Sequence, residues 1–121
     1  SARFWERQAL VKGFPVAGLR QLFPKITKLI ADIVYSRPLT DRERKEFLEI
    51  RKKMTVEIAR ETPNHFHIKC GRGGLFDIEF LTQYYQLRFG KAAAALRTPN
   101  TLKAIRALKE SKLLSAETAR V

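Results

Sequence analysis

Cysteine, histidine and acidic residues are scarce in this sequence. Among 121 residues there is one cysteine, Cys70, and there are two histidines, His65 and His67. A lone thiol excludes an internal disulfide and fits a reducing compartment. With no second cluster elsewhere, these three side chains do not make a zinc site of workable spacing. Cys70 has no partnered base and orienting acid to activate it, so it is read as an inert thiol. No apolar run approaches the ~20 residues that span a bilayer. No basic stretch leads into an apolar segment and cleavage site, so there is no export signal. A cytoplasmic protein without a membrane partner is expected.

Acid is outnumbered two to one, with 24 Lys and Arg against 12 Asp and Glu and a net charge of +12. The excess is uneven. Residues 41–61 carry seven basic and six acidic groups, residues 1–40 seven against two, and residues 62–121 ten against four. Such a surface attracts polyanions or an acidic protein face. The same excess arises where a basic surface is balanced by a neighbouring domain. Lys103, Arg106 and Lys109 form a basic stripe, which Leu102, Ile105 and Leu108 explain as the wet side of an amphipathic helix.

Apolar spacing is helical nearly throughout and predicts an all-α bundle of about five or six helices around one glycine-rich loop. A first helix runs from Arg3 to Lys12, with Phe4, Trp5, Leu10 and Val11 as its apolar members. A second begins near Ala17 or Leu19 and reaches about Tyr35, and Leu19, Leu22, Phe23, Ile26, Leu29, Ile30 and Ile33 predict a buried stripe along it. Pro24 predicts a kink or a restart there. Thr40-Asp41-Arg42-Glu43 is a capping box that opens a third helix, with Phe47, Ile50, Met54 and Ile58 on one face and Thr62-Pro63-Asn64 as its stop. His65 to Cys70 is read as extended. A fourth helix opens near Leu75 with Ile78, Phe80, Leu81, Tyr84, Tyr85 and Leu87 as its core, and Gly90 stops it. Thr98 or Asn100 caps a fifth, with Leu102, Ile105 and Leu108 inward. Ser115-Ala116-Glu117-Thr118 begins one more helix that breaks off, and Ser1-Ala2 precedes a helix already under way. Residues 1–121 are therefore expected to be one helical domain of a larger protein.

Lys69-Cys70-Gly71-Arg72-Gly73-Gly74-Leu75 is the segment whose residue types call for chemistry. Its glycines permit positive φ and close backbone approach. The loop feeds a helix N-terminus, which favours an anion, and Lys69 and Arg72 add charge. It fits neither the Walker A pattern nor the Rossmann fingerprint. Spacing alone leaves two readings open: a phosphate or carboxylate cradle, and a sharp turn into a buried helix. Asp77 and Glu79 stand two apart on a helix and point roughly 200° away from each other, so they do not share a metal ion. Glu79 and Gln83, four apart, can face one cleft.

The same residues carry a resemblance. Trp5-Glu6-Arg7-Gln8-Ala9-Leu10-Val11-Lys12, Val16-Ala17-Gly18, and the run from Lys69 through Gly73-Gly74-Leu75 to Asp77-Ile78-Glu79-Phe80-Leu81 and Gln83 resemble the segment after a nucleotidyltransferase domain in glutamate–ammonia-ligase (glutamine synthetase) adenylyltransferases. Asn100-Thr101-Leu102 and Leu113-Leu114 continue the match, which covers almost the whole chain. Shorter versions occur in the uridylyltransferases that modify the PII signalling protein. The resemblance implies a parent enzyme that transfers AMP from ATP to a tyrosine of glutamine synthetase and removes it by phosphorolysis. It implies ATP and Mg2+ held mainly by the nucleotidyltransferase domain through an Asp-x-Asp motif. The aspartates here are Asp32, Asp41 and Asp77, with no such pair. No catalytic residue or metal ligand is therefore assigned in this chain.

Lys69, Gly71, Arg72, Gly73 and Gly74 are the candidate nucleotide-phosphate contacts, and Asp77, Glu79 and Gln83 the residues that orient the loop or support it from behind. Expected partners are the upstream nucleotidyltransferase domain, glutamine synthetase and the PII protein. Gly13-Phe14 and Leu19 depart from the family's usual Ala-Arg and Asp, so any contact those make is missing here. The rival reading is a basic helical binding module for nucleic acid or an acidic protein. Leu96 to Leu114 gives it no clean helix-turn-helix, and few aromatics lie among the basic residues to stack on single strands.

Overall fold

The structure is a computed structural model that describes residues 3–59 and 62–114. Five helices form: α1 (Phe4–Leu10), α2 (Phe23–Val34), α3 (Asp41–Lys53), α4 (Leu75–Phe89) and α5 (Thr101–Glu110). Short 3-10 turns occupy Arg20–Leu22 and Ala94–Leu96. Among the described residues there is no strand, only an isolated antiparallel bridge between Thr62 and His65. The fold is the expected all-α bundle. The helix start at Ser115–Thr118 and the Ser1-Ala2 lead lie outside the described residues.

Local chemistry sets most boundaries. Pro24 falls in the first turn of α2, where its missing N–H costs nothing, so the proline restarts the helix after the Arg20–Leu22 turn. Thr40 caps α3 as the sequence predicts: its hydroxyl accepts the Glu43 amide at 3.2 Å, and the Glu43 carboxylate accepts the Thr40 amide at 3.0 Å. Past Lys53 the chain does not stay α-helical to Thr62. It widens into a π-helical stretch over Met54–Ala59. Gly90 follows α4 with φ −63°, so no left-handed turn needs it. A Cβ there would lie 2.4 Å from the Tyr35 ring, and it is this close packing that requires glycine.

α1 packs on both α2 and α4, α3 on α4, and α4 on α5. Phe47 is the hub of the main core. Its ring lies 6.3 Å from Phe4, 5.1 Å from Phe80 and 5.7 Å from Tyr84, joining α3 to α1 and α4. A second cluster gathers Leu96, Ala107 and Leu108 against Tyr85 and Phe89. Gln86 is buried beside it and donates to the carbonyls of Leu96 and Thr98, both at 2.8 Å, which holds the α4–α5 connection to α4.

Several expected core residues lie outside. Trp5, Leu19, Leu22, Ile26, Leu29, Ile58, Leu81 and Leu102 are exposed. In α5 the inward face is Ala104, Ala107 and Leu108. Small residues admit a close helix contact there, and Leu102 lies nearly opposite Ala104 on the helical wheel. In α2 the stripe is present, but Ile30 and Ala31 pack on the core with the buried Val34, while Leu22, Ile26 and Leu29 stay exposed, since no other described element covers them. Arg7, by contrast, is buried to 1% exposure. It donates to the Val34 carbonyl at 2.9 Å and to the Arg37 carbonyl, so α1 is tied to the end of α2. Desolvation, with Arg37 nearby, lowers its pKa.

Arg37 in turn forms a two-pronged ion pair with Glu43, at 2.6 and 2.7 Å. That hydrogen bonding outweighs the effect of burial and, with the Thr40 contacts, brings the Glu43 carboxyl from 4.5 down to about 2. A carboxyl depressed in the folded state adds stability that is fully present above its unfolded pKa and is lost as pH falls through the folded value. Stability should therefore drop by about 1–2 kcal/mol between pH 4.5 and about 2 on account of this residue. Glu43→Gln should lose a similar amount, about 1–2 kcal/mol, at neutral pH and show a flatter acid limb in urea melts taken across pH. An acid limb unchanged by the substitution would remove Glu43 from the acid response.

Candidate functional site: the clamped glycine loop

The loop before α4 is built by its own backbone. The amide of Gly71 donates to the His67 carbonyl at 2.6 Å and that of Gly74 to Gly71 at 2.9 Å. Leu75 and Phe76, the first residues of α4, donate back to Ile68 at 3.2 Å and Lys69 at 3.0 Å. Gly73 has φ +76° and donates its amide to the Asp77 carboxylate at 2.6 Å. Gly74 is required for a different reason. A Cβ there would stand 2.5 Å from the Ile68 carbonyl oxygen and 2.9 Å from those of Gly71 and Lys69.

Arg51, in the last turn of α3, closes the arrangement. Its guanidinium pairs with the other Asp77 oxygen and reaches the carbonyls of Cys70 at 3.4 Å and Gly71 at 3.3 Å. Hydrogen bonding from Arg51 chiefly, and from the Gly73 amide, holds the Asp77 carboxyl below its usual range. Sequence reasoning did not single out Arg51. The available signal was its place four residues after Phe47, which puts both on one side of α3.

These bonds decide what the loop can offer a ligand. The amides of Gly71, Gly73 and Gly74 are all engaged within the chain. What the loop presents outward is side-chain charge: Arg72 is exposed, and the exposed Lys69 holds its ammonium 5.4 Å above the Phe76 ring. An anion at this loop would be met by two long cationic side chains on a fixed backbone. Behind them, Cys70 is buried and its amide donates to His67 Nδ1 at 3.0 Å. Among the described residues no three His, Cys, Asp or Glu side chains gather as a metal site.

The other two singled-out residues face a different neighbour. Glu79 pairs with Lys12 at 3.1 Å, and Lys12 also donates to the Thr101 hydroxyl at 2.5 Å, joining the turn after α1 to α4 and α5. Gln83 accepts from the Gln8 amide at 3.0 Å. Glu79 and Gln83 thus share the groove of about 300 Å³ between α1 and α4, which Trp5 and Phe76 also line. Asp77 turns away to the opposite groove, of about 340 Å³, between α3 and α4. The divergence expected of residues two apart on a helix is what the structure has. Each carboxylate already faces a cation, and the two do not fit a shared Mg2+.

Gly74→Ala should destabilise the chain by about 2 kcal/mol or more, because three backbone carbonyls must move. Gly73→Asn should cost under about 1 kcal/mol, since asparagine tolerates positive φ and the space is open. Urea denaturation of both variants checks the order; equal losses would mean the loop is not held as described.

Comparison with known proteins gives two findings. The sequence profile described as GlnD PII-uridylyltransferase matches residues 48–121. Full-length similarity is to proteins named bifunctional glutamine synthetase adenylyltransferase/adenylyl-removing enzyme. The one from Thioalkalivibrio sulfidiphilus is 34% identical over 120 residues, covering 96% of this chain and 12% of that protein. That of Bifidobacterium longum (strain DJO10A) is 36% identical over 121 residues, covering 98% and 11%. That of Streptomyces avermitilis is 37% identical over 108 residues, covering 88% and 11%. The chain therefore spans roughly a ninth of the length of these relatives.

Proposed function

Because the chain belongs to the GlnD PII-uridylyltransferase family, we propose that it is the helical domain supporting a nucleotidyltransferase site that moves AMP onto and off glutamine synthetase. The similarity along almost the whole chain to bifunctional adenylyltransferase/adenylyl-removing enzymes favours AMP and glutamine synthetase over other pairs. The observation that carries the reading is the clamped loop, which fixes the backbone yet leaves Lys69 and Arg72 pointing outward. In this reading the two side chains meet the phosphates of ATP at the face of a neighbouring catalytic domain. Positive charge there stabilises the charge that moves to the leaving phosphates as the nucleotidyl group transfers. Gly71, Gly73 and Gly74 let the loop fold tightly enough to bring those charges close. Asp77, held by Arg51, orients the loop, while Glu79 and Gln83 keep α1 seated on α4.

In this reading the neighbouring domain would hold Mg2+ and position the attacking oxygen of the acceptor tyrosine and the leaving oxygen of pyrophosphate. Asp77 and Glu79 are committed to Arg51 and Lys12, so no metal step is routed through them. A cytoplasmic setting and contact with the PII signalling protein go with this reading. The profile match supports a second one, in which the same loop serves transfer of UMP to PII. The nucleotide distinguishes them: transfer from ATP to glutamine synthetase or from UTP to PII.

The test is AMP transfer by the longer protein that carries the upstream domain. Lys69→Ala should reduce transfer about 10- to 100-fold, the worth of one charge-assisted contact to phosphate, with an unchanged thermal midpoint. The 121-residue chain alone should transfer nothing. Full activity of Lys69→Ala would reduce the loop to a structural turn, and adenylylation by the isolated chain would overturn the domain assignment.

A further inference from the structure

α2 carries two apolar stripes roughly a quarter-turn apart. Phe23, Ile30 and Val34 make one, with Ile30 packed on the core and Val34 fully buried in it. Ile26 and Leu29 make the other, begun by Leu22 at the end of the preceding 3-10 turn, and the three are 38%, 59% and 43% exposed. The preceding segment extends it, with Leu19 71% and Val16 78% exposed. Scattered apolar residues on a surface mean nothing, but a continuous row at helical spacing is the signature of a face meant to be covered.

We propose that this stripe is a docking face, covered by an apolar, acid-rimmed surface of the same longer polypeptide. It rests on the reading that the chain is part of a protein of its relatives' length, of which it spans about a ninth. Charge selects the occupant. Around the stripe lie Arg20, Lys25 and Lys28, with only Asp32 against them, and Asp32 is already paired with Lys28 at 2.7 Å. Two copies of this chain would each bring a charge of +12 to the contact, so self-association through this face is opposed. An acidic rim around an apolar patch removes both the exposed hydrocarbon and the uncompensated charge. The face is also distinct from the glycine loop, since α1 packs between α2 and α4 while the loop is clamped to α3. The bundle can therefore be held at α2 while Lys69 and Arg72 stay outward.

The experiment compares hydrogen exchange of residues 20–33 in the 121-residue chain and in the longer protein. Protection should rise about tenfold or more in the longer protein, and Ile26→Glu/Leu29→Glu should abolish the gain. The same double substitution should lower the melting temperature of the isolated chain only slightly, because Leu29 is 59% and Ile26 38% exposed there. Sedimentation should show that chain as a monomer. Equal exchange in both proteins would overturn the proposal. So would an isolated chain that sediments as a dimer and is split by the double substitution, since the occupant would then be a second copy. Failure of the functional reading is told apart by assaying AMP transfer on the same longer protein: protection without transfer rejects the function only, and transfer without protection rejects the docking face only.

Discussion

The packing of Phe47 is the contact on which the rest of the molecule depends. A single ring in the middle of α3 meets Phe4, Phe80 and Tyr84, so three helices distant in sequence share one apolar centre. Aromatic rings at such separations add directional preference to area burial, which fixes how each helix is rotated as well as how closely it approaches. That rotation has a consequence one helical turn further on. Arg51 is carried over the Phe80 ring, 6.0 Å from its centre, and from there it reaches Asp77 and the loop carbonyls. Core packing thereby sets the position of the clamp, and the clamp sets the shape of the glycine loop.

Charge is handled differently in the interior and at the surface. Arg7 lies inside and is met by carbonyls, with Glu43 acting on it at a distance and Arg37 between them. Burial without a direct carboxylate disfavours the charged form, which is the direction of its pKa shift. At the surface the loop keeps two cations outward while the partly exposed Asp77 carboxylate in the first turn of α4 is neutralised by Arg51. A phosphate group meeting Lys69 and Arg72 would not face opposing negative charge at close range, since Asp77 is already paired. In the proposed reading this is an electrostatic reason for a structural ion pair to stand beside the loop.

The all-α class, the capping box at Thr40, a break at Pro24 and a bundle of about five helices were legible in the sequence because each rests on chemistry within a few residues. Which apolar stripe would be covered was not legible. Leu22, Ile26 and Leu29 look as buried from their spacing as Phe47 and Ile50 do, and only the arrangement of other helices distinguishes them. Alanines 104 and 107 were overlooked for the complementary reason. Their contribution is close approach, which hydrophobic size does not reveal.

For the candidate site, the sequence by itself determined that a tight glycine loop would open α4 with Lys69 and Arg72 on it, and that Asp77 and Glu79 would diverge. Both follow from backbone sterics and the helical repeat, which are local. Tertiary structure alone decided that the loop amides are engaged internally, that Arg51 from α3 fastens Asp77, and that Lys12, just past α1, fastens Glu79. Those partners lie 26 and 67 residues away along the chain. Hydrogen bonds and ion pairs act over a few ångströms, so which distant side chain arrives within that reach is settled by the packing of the helices and by nothing in the local sequence.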